Sequence, residues 1–187
     1  MKKWYTADTH FGHKNIINHC NRPFESADEM DAVLLKNLRE AVGPEDQLWI
    51  IGDFAFGRKA KNKEWVRSIF DQLPGAEKHL VVGNHDKDSV LELPWTSITD
   101  TAAVQDGSEK KWHTLYHYPL ITWNNARRGS LNLFGHVHNN WPGSRNSVNV
   151  GVDLWDFKPV QFSEIEKRAA TLPINPIWAT VEPGAVL

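Results

Sequence analysis

Three short apolar runs in the first half of the chain each stop abruptly at polar residues. Residues 3–7 (KWYTA) run into Asp8, residues 48–51 (LWII) into Gly52-Asp53, and residues 79–82 (HLVV) into Gly83-Asn84-His85-Asp86. The runs are continuous rather than alternating, which predicts strands covered on both faces. Between the first two, Ser26-Ala-Asp-Glu29 has the form of a capping box, and Met30, Val33, Leu34, Leu38 and Val42 follow at helical spacing until Gly43-Pro44 stops them. A second helix is predicted over residues 61–73, with Trp65, Ile69, Phe70 and Leu73 on one face and Pro74-Gly75 after it. Strand, helix, strand, helix, strand is the pattern of a parallel α/β half.

The second half reads as β-rich. Residues 98–104, 112–116, 131–134 and 148–152 are short strand-like segments separated by loops. Ser163-Glu-Ile-Glu166 forms another capping box and opens a helix expected to run to residue 170. The reading is therefore one domain over residues 1–170. Residues 171–187 contain three prolines and are expected to form an extended tail that either docks through Trp178 or is mobile.

Composition narrows the function classes. A chain of 187 residues supports one core, and its 41% hydrophobic and 24% charged content is that of an ordinary globular protein. The net charge of -2 argues against a broad basic surface gripping nucleic acid through its phosphates, without excluding a local basic patch. Cys20 is the only cysteine, so an intrachain disulfide is excluded and a reducing, cytoplasmic setting fits. The apolar run after Lys2-Lys3 is too short for a signal sequence, and no segment is long enough to span a membrane.

In open α/β sheets, ligands bind beyond the carboxyl ends of the parallel strands, which here hold Asp8, His10, Asp53, Asn84 and His85. The β-rich half adds His117 (LYHYPL) and His136 and His138 (LFGHVHNN), also at strand ends. In extended backbone the two imidazoles of H-x-H point to the same side, and so do Asp8 and His10, giving each pair access to one site. Any one of these residues alone is better explained as a cap, turn former or satisfied core group. The ordered set D-x-H, G-D, G-N-H-D, H, G-H-x-H, each after an apolar run, is not. Mixed carboxylate, imidazole and amide donors suit manganese, iron or zinc better than magnesium or calcium. Seven donors exceed one tetrahedral site and suit two adjacent ions sharing a carboxylate.

That ordered set, from Asp8 to His138, resembles the calcineurin-like metallophosphoesterase family. The resemblance implies two mixed β-sheets packed face to face and flanked by helices, a four-layer αββα sandwich. It also implies one ion held by Asp8, His10, Asp53 and His138, and a second by Asp53, Asn84, His117 and His136, with Asp53 bridging. DTHFGHKNII, NRPF and NVGVDLWDFKP look like a compact bacterial and phage branch without a cap domain.

The activity implied is hydrolysis of a phosphodiester or phosphomonoester, such as a nucleotide or cyclic nucleotide, by a hydroxide bridging two divalent ions, with manganese the first ion to supply in vitro. His85 is then expected on the leaving-group side. Asp86 either orients the His85 ring or caps the following helix. His13 contacts a substrate phosphate or caps the local turn; Arg22, Arg127 and Arg128 are candidate phosphate clamps or solvated loop arginines. Trp123, Trp141 and Trp155 either stack a flat substrate group or pack beneath loops, and His19 and Cys20 read as structural. The expected partner is a small phosphate ester rather than a long nucleic acid. A nuclease acting on short nucleic acid and a silent scaffold of the same fold are the alternatives, and loss of motif histidines expected of a scaffold is absent here.

Overall fold

The computed structural model describes residues 1–184. The first half contains β1 (Lys3–Thr6), α1 (Lys14–His19), α2 (Ala27–Ala41), β2 (Gln47–Ile51), α3 (Lys63–Phe70), β3 (Glu77–Val81), α4 (Asp88–Leu91) and β4 (Ser97–Thr99). The second contains β5 (Thr101–Asp106), β6 (Lys111–Tyr116), β7 (Asn132–Phe134), β8 (Gly143–Ser144), β9 (Ser147–Asn149), β10 (Val160–Gln161), α5 (Phe162–Thr171) and α6 (Pro176–Val181). They form two five-stranded mixed sheets, ordered β10-β1-β2-β3-β4 and β5-β6-β7-β9-β8. Strands β1 to β4 are parallel, with β10 antiparallel at the edge.

The continuous apolar runs are explained by cores on both faces of the first sheet. Trp4, Leu48, Ile50 and Leu80 face α1, α2 and α3, where Ile16, Ile17, Met30, Leu34, Leu38, Val66, Ile69 and Phe70 cover them. The alternate residues Tyr5, Ala7, Trp49, Ile51 and Val81 face the second sheet, meeting Val104, Leu115, Leu133 and Val148. Burying each such side chain contributes roughly 1.5–3 kcal/mol. Both faces of β1, β2 and β3 are thereby pinned, and the ends of these strands become a fixed platform.

Three boundaries differ from those expected. The apolar run at 98–104 is two strands, because the chain leaves the first sheet after β4 and enters the second at β5, with Asp100 between them. Helix α5 begins at Phe162 with Gln161 and Glu164 as its capping box, not Ser163 and Glu166; this start turns Phe162 and Ile165 into the core between the sheets. Past α5 the chain is not extended: α6 starts with Asn175 accepting from the Ile177 and Trp178 amides and Pro176 in the first turn, where its missing N–H costs nothing. Trp178 is buried, and Glu182 hydrogen-bonds Thr122. Residues 185–187 of the expected tail lie outside those described. No helix among the described residues is long and apolar enough to cross a membrane.

Candidate metal centre

The loops after β1 and β2 are zipped together by backbone hydrogen bonds from Asp8 N to Gly52 O (3.0 Å), His10 N to Asp53 O (2.9 Å) and Phe11 N to Phe54 O (2.9 Å). Gly135 N donates to His117 O at 3.0 Å and Val152 N to Ala7 O at 3.0 Å, tying in the loops of the second sheet. Asp8, His10, Asp53, Asn84, His117, His136 and His138 are thus brought to one place. Expected i, i+2 alternation is not how they converge. Asp8, His10, Asp53, His136 and His138 all have positive φ, between 50° and 69°. Left-handed backbone at a non-glycine residue costs about 1–3 kcal/mol and persists where surroundings enforce it, as at functional sites.

The H-x-H pair consequently addresses opposite ends of the cluster. His138 joins Asp8 and His10, their donor atoms all within 4.8 Å of one another, whereas His136 Nδ1 lies 2.9 Å from Asn84 Oδ1. Asn84 Oδ1 is also 3.1 Å from His117 Nε2. Asp53 stands between these groups, its Oδ2 lying 3.3 Å from His10 Nε2, 3.5 Å from His117 Nε2 and 4.0 Å from His85 Nε2.

Glycines in the motifs make room for this. A Cβ on Gly52, where φ is 84°, would stand 2.2 Å from His117 Nδ1, and one on Gly135 would stand 2.6 Å from Asp8 Oδ2.

Local chemistry fits a cation. Asp8 and Asp53 are buried with no lysine or arginine on either carboxylate among the described residues, a costly arrangement without a positive charge nearby. His10 Nε2 is buried without a hydrogen-bond partner. His117 Nδ1 faces Ile51 O at 2.9 Å and donates to it, so the neutral ring presents an Nε2 lone pair toward Asn84 Oδ1, itself an acceptor, and only a proton or a metal ion on Nε2 relieves that contact. Acceptors facing acceptors call for a cation between them. Burial raises the Asp8 carboxyl to about 6. Burial also raises Asp53, but the facing imidazoles of His10 and His117 outweigh it and hold that carboxyl well below the usual range.

Several side chains have other places than expected. Asp86 does not orient His85 and does not cap α4; its carboxylate accepts from Gly83 N (2.8 Å), Asp53 N (2.9 Å) and Phe54 N (2.9 Å) and fixes the G-D and G-N-H-D loops together. The His85 ring rests instead on Phe56, centroids 4.0 Å apart, while its backbone N–H donates to Asp53 Oδ1 at 2.9 Å. Arg22 is no phosphate clamp: it is buried, pairs with Asp153 at 2.7 and 3.0 Å, and donates to the carbonyls of Asp8 and Thr9. Arg127 is committed to Glu182 and the Pro183 carbonyl, and none of the contacts of Arg127 or Arg128 reaches the cluster. His13 makes no side-chain cap; its Nδ1 lies 3.4 Å from His10 Nδ1, and burial and neighbouring imidazoles lower it to about 4, so it is neutral. Trp123 and Trp155 donate to backbone carbonyls of Ser130 and Asn149, and Trp141 stacks on Phe134.

Sequence reasoning missed Asp153, whose Oδ2 accepts from His138 Nδ1 at 2.9 Å, and Asp31, a buried acceptor for Gly12 N at 3.0 Å. The only signal for Asp153 was its place in NVGVDLWDF, a loop following an apolar run.

The family model for calcineurin-like phosphoesterase matches residues 1–155, the span that contains every cluster residue. The chain belongs to the calcineurin-like phosphoesterase family. Among its relatives is the uncharacterized protein MJ1445 of Methanocaldococcus jannaschii, 32% identical over 175 residues, covering 89% of this chain and 91% of that protein. Gene 66 protein of Mycobacterium phage L5 is 26% identical over 182 residues, covering 81% and 86% respectively. The crystal structure of AQ665, a protein of unknown function from Aquifex aeolicus, superposes with a TM-score of 0.70 at 33% identity, covering 89% of this chain and 98% of that one. Such small relatives agree with the compact branch, and the family supports metal-dependent phosphoester hydrolysis.

Proposed function

We propose that the protein is a dinuclear metal-dependent phosphoesterase acting on a small phosphodiester or phosphomonoester. The observation behind this reading is the position of Asp53 Oδ2 between His10 Nε2 at 3.3 Å and His117 Nε2 at 3.5 Å, where one carboxylate serves both ends of the cluster. Asp8, His10 and His138 would complete one end; Asn84, His117 and His136 would complete the other. Two divalent ions held there would supply Lewis acidity and bring the pKa of water toward neutrality.

The protein's own part is positional. The Ile51 carbonyl and Asp153 occupy the Nδ1 atoms of His117 and His138, so each ring offers Nε2 to the centre. His85, partly exposed at the edge of the cluster and steadied by Phe56, is placed to give a proton to the leaving oxygen. Hydrolysis of an aryl phosphodiester with manganese, zinc or iron, measured alongside bound metal, tests this reading. Absence of turnover with every metal would favour a silent scaffold.

A further inference from the structure

Beside the cluster, Gly57 stands between two recesses. The one on the His13 side has mixed charge, with Lys14, Arg58 and Lys59 near Glu25 and Asp28, and Lys59 is paired with Asp28. The one on the His85 side encloses about 400 Å³. Phe56 and the largely buried Ala60 contribute apolar area to its lining, and Lys61, Lys63 and Lys87 line it as well. Lys63 is paired with Glu92, but Lys61 and Lys87 are exposed and have no acidic partner among the described residues. Asp88 is the one carboxylate in the lining. With Lys63 neutralised by Glu92 and Asp88 the one acid, Lys61 and Lys87 leave this recess locally positive in a chain of net charge -2.

We propose that this recess binds a nucleotide as the leaving group of the ester: its nucleoside over Phe56 and Ala60, and a second phosphate on Lys61 and Lys87. The inference rests on the phosphoesterase reading, because His85 lines the same recess and would face the departing oxygen. The volume suits a nucleoside monophosphate, and an apolar floor with a few converging polar groups is the usual form of such a site. In the reaction, water forms the new bond to phosphorus and the bond to the nucleotide's 3′ oxygen breaks. That oxygen leaves as a hydroxyl with the proton from His85, and water's surplus proton passes to solvent. A neutral alcohol would leave both lysines unused. A leaving group with its own phosphate would pair with them, and the pairing should weaken as salt rises.

Calorimetric titration of the full chain with adenosine 5′-monophosphate and with adenosine, chelator present, tests the site without metal or turnover. The expected result is binding of the monophosphate at least about tenfold tighter than adenosine, with the difference shrinking at high salt. In a Lys61→Gln/Lys87→Gln double variant, which alters only exposed side chains, the difference should fall below about threefold. Equal affinity for the two ligands, no binding of the monophosphate, or an undiminished preference in the double variant would overturn the proposal. Aryl diester hydrolysis by the metal-loaded wild type reports separately on the phosphoesterase reading, so the two can fail independently.

Discussion

Asp153 Oδ2 accepts a hydrogen bond from His138 Nδ1 at 2.9 Å while the same carboxylate is held by Arg22 at 2.7 and 3.0 Å. Arg22 in turn donates to the carbonyls of Asp8 and Thr9, so one buried arginine couples the orientation of His138 to the backbone of the D-x-H loop. Substituting Asp153→Asn removes the anion that fixes the His138 ring, and metal affinity should fall about 10–100-fold. It also leaves Arg22 buried without its counter-charge, at a cost of about 3–5 kcal/mol. Metal titration together with urea unfolding separates the two effects. Unchanged values in both would remove Asp153 from the account.

Asp86 should prove structural. Three backbone amides converge on its carboxylate at 2.8 to 2.9 Å. Asp86→Ala leaves them buried without an acceptor, at about 1–3 kcal/mol each before relaxation, so the variant should unfold at much lower urea or fail to fold. Asp86→Asn keeps an acceptor and should lose stability with the shape of the pH–rate profile retained. A shift in the limb assigned to leaving-group protonation would restore Asp86 as the partner of His85.

Much of this was legible because the clustered residues stand where apolar strands end, and a strand's end is marked in sequence by an abrupt change of residue type. Both cores, the parallel half and the seven residues that the fold brings together followed from that mark. What was not legible depends on contacts across long sequence separations or on backbone geometry. Asp153 meets Arg22 across 131 positions, and nothing near it in sequence announces the partner. Asp86 follows His85 directly, which invited pairing, yet its side chain turns away from the ring to the amides of another loop. Left-handed backbone at Asp8, His10, His136 and His138 is invisible to a period-two reading and sends the H-x-H rings to opposite ends of the cluster. Three prolines suggested an extended tail, but Pro176 sits where a helix tolerates proline best.

Acid stability should depend on His113. Burial lowers the group from 6.5 to about 4 against the raising influence of Asp106, and its Nδ1 accepts from Leu131 N at 3.0 Å, a bond that protonation there would forfeit. The unfolded chain therefore takes up this proton first as pH falls. The contribution is fully present above about pH 6.5 and is lost progressively as pH drops toward 4, amounting to about 3 kcal/mol. Buried Asp31, raised to about 6, acts in the opposite direction over part of the same window. The informative quantity is thus the difference between wild type and His113→Phe in urea unfolding at pH 7 and at pH 4.5. The wild type should lose more stability on acidification than the variant, and equal losses would contradict the assignment.

The most direct test of the central claim is bound-metal stoichiometry, measured with aryl phosphodiester turnover, for the wild type, Asp53→Ala and His85→Ala. Asp53 reaches both ends of the cluster, whereas His85 stands at its edge. The account predicts two divalent ions per chain in the wild type, loss of metal and turnover together in Asp53→Ala, and retained metal with most turnover lost in His85→Ala. A metal-free protein with full activity, or an Asp53→Ala variant that still binds two ions, would contradict it.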